Sequence, residues 1–174
     1  MDIITALAVS ISLLGGLATW LFLGPVLGGL GLSIWAAFVA WACFFHCGGL
    51  TAGLQKTIIH NIFGAIMGWI ALLLVTHGLG GALGVPLGAA VAIVITVFIL
   101  VIAAKNPMLS DIPASVLGFA SVAAFALAGK GEGLGNVTAG DLSNPLLNVV
   151  ISMAIGAIFG FVSQKIAGAI SSDS

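Results

Sequence analysis

No Asp, Glu, Lys or Arg occurs from Ile3 to Gln55, from Thr57 to Ala104, from Ile112 to Gly129, or from Leu142 to Gln164. A helix rising ~1.5 Å per residue needs roughly 20 apolar residues to cross a hydrocarbon core of ~30 Å, so these gaps are of bilayer length. The first two hold two spans each, because LGPVLGG (Leu23 to Gly29) and HGLGGALGVPLG (His77 to Gly88) place helix-breaking chemistry near their middles. Six spans follow, at roughly 4–23, 27–47, 54–76, 86–104, 111–128 and 145–167. The expected fold is an all-α integral membrane protein, one transmembrane domain over 1–174.

Composition agrees: 61% of residues are hydrophobic and 5% charged, where a soluble domain carries about 25% charged residues. Runs such as AAVAIVITVFILVIAA (Ala89 to Ala104) do not alternate, which argues against a transmembrane β-barrel. The first span lacks a basic leader and is expected to stay in the membrane, and no soluble domain of useful size is expected. With the N-terminus inside, Lys56, Lys105 and Lys165 face the cytoplasm and Lys130 faces outward, so both termini are expected to be cytoplasmic. The sequon NVT at Asn136 falls in the expected outer loop and matters only in a glycosylating host.

The chain repeats itself. GAIMGW at Gly64 in the third span returns as GAIFGF at Gly156 in the sixth, 92 residues later. AFVAWACFFHCG at Ala37 in the second span returns as the frame of GFASVAAFALAG at Gly118 in the fifth, 81 residues later. Gly24-Pro25 after the first span has a counterpart in Asn106-Pro107 after the fourth, and the change of offset falls in the loop KGEGLGNVTAGDLSN (Lys130 to Asn144). Repeat one covers about 1–79 and repeat two about 80–174. Three spans per repeat is an odd number, so the second must thread the bilayer in the opposite sense. The expectation is an inverted 3+3 repeat, an arrangement common in transporters, whose sites lie near the midplane. Duplication as a mere route to six helices is the competing explanation.

Gly64 and Gly68, like Gly156 and Gly160, form GxxxG, which lets two helix backbones approach. Close helix packing accounts for them, and exposed GxxxG faces would also favour a homo-oligomer. Before each glycine pair lies a polar couple at i, i+4: Lys56 and His60 in the third span, Asn148 and Ser152 in the sixth, with Thr57 and Asn61 beside the first. Inversion would bring one couple toward the midplane from inside and the other from outside, as a permeation path needs. Lys56 also fits a snorkelling anchor. For His60 and Asn61 a surface position is costly inside a bilayer, so they are expected to face the interior or a cavity.

CFFHCGG (Cys43 to Gly49) places Cys43 and Cys47 one turn apart, with His46 some 100° around the helix. Binding of zinc or copper(I) by all three would need the helix to unwind and a fourth ligand from elsewhere. The cysteines are therefore expected to pack as small apolar residues, with no metal site and no cofactor. Phe38, Phe45 and His46 become candidates for a cytoplasmic gate. Their counterparts in the fifth span are Phe119, Ala126 and Leu127, so the matching place lacks the polar group, and Phe125, which matches Phe44, joins Phe119 as a candidate for the path.

Catalysis finds no support, because the three histidines have no acidic neighbour in sequence and no nucleophile elbow or phosphate loop occurs. Four lysines, no arginine and a net charge of −1 give no basic patch for nucleic acid.

The ordered set SIWAAFVAWACFFHCGGLTAGL, GAIMGW, DIPASVLGFASVAAFALAGKG and AIGAIFGF resembles the YcdZ-like family of small bacterial inner-membrane proteins from the second span onward. The resemblance implies a bacterial cytoplasmic-membrane protein of about this length and supplies no activity or functional residues. His46 is not part of what it requires.

With no acidic group at depth to couple an ion gradient, the expected function is a passive or weakly gated channel for a small, mostly uncharged solute of the urea, ammonia, short-amide or carbon dioxide class. A proton-coupled transporter of small organic molecules using His60 or His46 is the alternative, since imidazole titrates near neutrality. A non-transporting scaffold is the third. The expected partners are membrane lipid, a small solute and further copies of the chain.

Overall fold

A computed structural model of the chain describes residues 1–172, the side chains of 129–132 excepted. Lys130, the expected outer lysine, thus lies outside the described residues. Among the described residues every regular element is helical: α1 (Ile3–Leu23), α2 (Ile34–His46), α3 (Leu50–Leu74), α4 (Gly80–Leu83), α5 (Val85–Ala103), α6 (Ile112–Gly131) and α7 (Pro145–Ile170). Four stretches are long and apolar enough to cross a membrane, namely Ile3–Leu23, Leu50–Leu83, Val85–Ala103 and Pro145–Ile170, while Ile34–His46 and Ile112–Ala128 are shorter.

Two boundaries correct the expectation of six full spans. The second span was expected from 27, yet Gly28–Leu30 forms a single 3-10 turn and α2 begins only at Ile34. Glycine costs ~1 kcal/mol relative to alanine inside a helix, and Gly24, Gly28, Gly29 and Gly31 crowd this stretch. At 13 residues α2 is about 20 Å long, short of a bilayer core.

The second correction runs the other way. His77 to Gly88 was expected to break the chain, but helix continues from α3 through one π-helical turn, Val75–Leu79, into α4. Backbone groups that find no water in lipid are best satisfied within a helix, so glycines that would fray elsewhere stay helical. The Thr76 hydroxyl donates to the Leu72 carbonyl at 2.9 Å beside the bulge. Only Gly84, at φ 78° and ψ 150°, leaves helical space, a conformation that a side chain would resist. There the chain turns directly into α5.

The chain forms two compact units, Met1–Ile58 with Ile151–Ser174, and Ile59–Val150. In the first unit α7 meets α2 at glycine: a Cβ on Gly156 would overlap the backbone of Ala37, and one on Gly160 would lie 2.9–3.0 Å from ring atoms of Phe44 and Trp41. Trp41 is buried, stacks on Phe38 at 5.8 Å, approaches Phe159 at 5.7 Å, and donates from Nε1 to Ser163 Oγ at 3.1 Å. The chain ends of this unit also meet, with the Ser172 amide donating to the Met1 carbonyl at 3.0 Å.

In the second unit α3 meets α6 by the same device. A Cβ on Gly64 would overlap the Ser115 carbonyl, one on Gly68 would lie 2.8 Å from the Phe119 carbonyl oxygen, and one on Gly118 would overlap Asn61 backbone. Both GxxxG pairs are buried inside the chain. They therefore do not supply the exposed face on which a homo-oligomer was expected. The segment before α7 folds back on this unit, as Trp69 Nε1 donates to the Val137 carbonyl at 2.6 Å and Asn144 Nδ2 donates to Val137 and Ala139.

Candidate functional site

Side chains with hydrogen-bonding capacity inside a bilayer must be satisfied by the protein or by something it holds. Thr57, His60, Asn61, Asn148 and Ser152 are all buried, none more than 3% exposed. Lys56 is half-buried. The candidate path residues thus point into the chain rather than to its outer surface.

In the second unit, His60 Nε2 accepts the Asp111 amide at 2.9 Å. An acceptor at Nε2 is an unprotonated nitrogen, which leaves Nδ1 to carry the ring proton. Asp111 is the residue before α6, and its Oδ1 accepts the Ala114 amide at 3.0 Å. A histidine of α3 and an aspartate preceding α6 together satisfy amides that open a helix, a task otherwise done by one residue's own side chain. One turn on, Ser115 Oγ is buried without a hydrogen-bond partner. Asn148 Nδ2 donates to the Leu142 carbonyl at 2.9 Å. Phe119 and Phe125 are half-buried, Phe119 backing onto Gly68.

In the first unit, Ser152 Oγ accepts the Ser33 amide at 3.0 Å, holding the chain as it enters α2. Thr57 is fully buried and its hydroxyl has no hydrogen-bond partner. Two unsatisfied buried hydroxyls, each worth ~1–3 kcal/mol if left so, mark polar points within a nearly charge-free protein. The gate candidates divide: Phe38 is 41% exposed and His46 exposed, while Phe45 is half-buried and packs edge-on to Phe44 at 5.2 Å. Phe38 and His46 thus lie on the outer surface of the chain, apart from the buried polar residues.

Sequence reasoning missed three contributors. Asp111 is the first, although Asp-Ile-Pro ahead of an apolar run reads as a helix start. Ser33 and Gln164 left no such signal. Gln164 Oε1 accepts the Leu50 amide at 2.6 Å and its side chain fills the space beside Gly49, so α7 caps the first turn of α3 from a distance in sequence that no local pattern reveals. Among the described residues, no group of three or more His, Cys, Asp and Glu is arranged to hold a metal ion.

Apolar helices of spanning length with polar side chains turned inward define a helical membrane protein. Within that class, the chain belongs to the DUF1097 family of proteins of unknown function, which matches residues 8–168. It is 28% identical over 165 residues to the inner membrane protein YcdZ of Salmonella typhimurium, covering 95% of this chain and 88% of that one. No solved structure matches it.

Proposed function

We propose that the chain is a channel of the bacterial inner membrane for a small, mostly uncharged solute, passive or weakly gated. The observation that carries this reading is the inward burial of Thr57, His60, Asn61, Asn148 and Ser152, polar groups that an inert lipid-embedded bundle would replace by apolar ones. The buried polar side chains include no Asp, Glu, Lys or Arg among the described residues. A site of this kind suits a solute that exchanges hydrogen bonds and carries no charge, because an ion would need compensating charge at depth.

The path runs through an inverted 3+3 repeat in which Lys56, Thr57, His60 and Asn61 approach from the cytoplasmic leaflet and Asn148 and Ser152 from the other. Supporting the repeat, GxxxG of α3 meets α6 and GxxxG of α7 meets α2, so each glycine pair docks on the middle helix of the opposite repeat. Supporting an even number of crossings, the chain ends bond to each other. The lysine bias puts them in the cytoplasm, and the named relative is an inner membrane protein.

Purified protein in liposomes tests this by stopped-flow flux of urea, ammonia and short amides. Permeation faster than through empty liposomes, slowed by Ser152→Val, is expected; rates equal to empty liposomes for every solute contradict the proposal. A second reading is favoured by the buried imidazole of His60, which can carry a proton. Flux that requires a pH gradient and disappears in His60→Gln would select this proton-coupled transporter instead.

A further inference from the structure

Cys43 and Cys47 end α2, and their sulfurs lie 4.0 Å apart. Neither is in a disulfide; Cys43 is fully buried and Cys47 half-buried, so the pair opens on one side only. Cys47 is the C-cap of the helix, after which Gly48 and Gly49 take φ 92° and 67° to turn the chain into α3. The second sulfur therefore sits where the backbone is least constrained by helix, while the first is fixed among Phe44 and its neighbours. Gln164 secures the far side of the same turn.

Zinc wants four ligands, and among the described residues no third His, Cys, Asp or Glu joins this pair in a metal-holding group. Monovalent d10 ions accept two. A two-coordinate ion is held near-linearly, with two sulfurs each ~2.3 Å away and so about 4.6 Å apart. The observed 4.0 Å is short of that span by about 0.6 Å, an opening that Cys47 at the helix end allows, whereas a disulfide would have to close it to ~2.05 Å against the helix. Reduced thiolates also select soft ions over hard ones.

We propose that Cys43 and Cys47 form a two-sulfur site for one thiophilic monovalent ion of the copper(I) class. On binding, each thiol gives up its proton to solvent and each sulfur forms one bond to the ion. No electron is transferred, and the product is a bis-thiolate complex of net charge −1. Because it uses neither His60 nor the polar residues of α3 and α7, the site stands or falls independently of solute permeation.

The test is titration of the full chain, reduced and in detergent under anaerobic conditions, with copper(I) in competition with a chromophoric chelator. One ion withheld per chain is expected, with affinity falling on the order of 100-fold in Cys43→Ser and equally in Cys47→Ser, since each removes one of two donors. Wild-type affinity in either variant, or no ion withheld by the native chain, overturns the site. X-ray absorption on the copper-loaded native protein gives a reading that needs no variant. Two sulfur neighbours are expected, and a nitrogen or oxygen shell, or a third sulfur, overturns it.

Discussion

The two units solve one packing problem with different materials. In the first, α7 lays Gly156 on Ala37 and then meets rings, with Trp41, Phe44, Phe159 and Phe161 filling the remaining space. In the second, α3 lays Gly64 and Gly68 on α6 backbone, and polar His60 and Asn61 flank the contact. Lipid tails are as apolar as leucine, so neither contact is driven by exclusion from water; both depend on close approach and on satisfied polar groups. The contrast teaches that the same glycine spacing yields an aromatic wedge in one unit and a backbone-lined polar seam in the other. Under the proposed function, the seam is where a solute would find partners.

Replacing Gly64 or Gly156 by alanine should break the comparison most severely, because the new methyl overlaps partner backbone in each case. A loss of about 3 kcal/mol or more, or no folded protein at all, is expected by thermal melting in detergent. Gly68→Ala and Gly160→Ala sharpen it. The first meets a carbonyl oxygen at 2.8 Å, fixed in a helix; the second meets ring atoms at 2.9–3.0 Å that can tilt. Gly68→Ala should therefore be the costlier by about 1 kcal/mol, and equal losses would mean that the aromatic wedge is as unyielding as backbone.

His60→Ala removes the acceptor for the Asp111 amide and should destabilise the second unit by about 1–3 kcal/mol. Ser152→Ala removes a neutral hydroxyl acceptor from the Ser33 amide and should cost about 1 kcal/mol. If His60→Gln restores stability where His60→Ala does not, the hydrogen bond rather than ring volume is responsible. The smallest effect belongs to the surface. Hydrogen bonds from the Thr5 hydroxyl and amide hold the Asp2 carboxyl below its ordinary pKa, so its help to the start of α1 is complete above the ordinary carboxylate range and fades as pH falls through the lowered value. Protection of the first-turn amides of α1, taken relative to their intrinsic exchange rates, should fall at acid pH in the native chain and show no such change in Asp2→Asn.

Charge-free stretches and the GxxxG repeats were legible in sequence because membrane thickness and backbone approach each impose a fixed spacing. Ends at Leu23, Ala103 and Pro145 fell within a few residues of expectation. The short α2 and the continuous run from Leu50 to Leu83 were not, since glycine reads as a breaker in water and is tolerated as helix in lipid. Burial of His60, Asn61, Asn148 and Ser152 was foreseeable from the cost of polar groups at depth. Their partners Asp111, Leu142 and Ser33 were not, because partnership across helices depends on rotation about each axis, which no spacing rule fixes.

A polar seam open to solute is tested most directly by thiol labelling. In a background with Cys43→Ser and Cys47→Ser, cysteine is placed at Asn61 or at Ser115, both buried in the second unit, and treated in intact proteoliposomes with a small, membrane-impermeant thiol reagent. Both positions should react, and a permeant solute in excess should slow the reaction. Two thiols inert in the folded chain and reactive only after denaturation would mean that the interior is closed and that the buried polar residues serve packing alone.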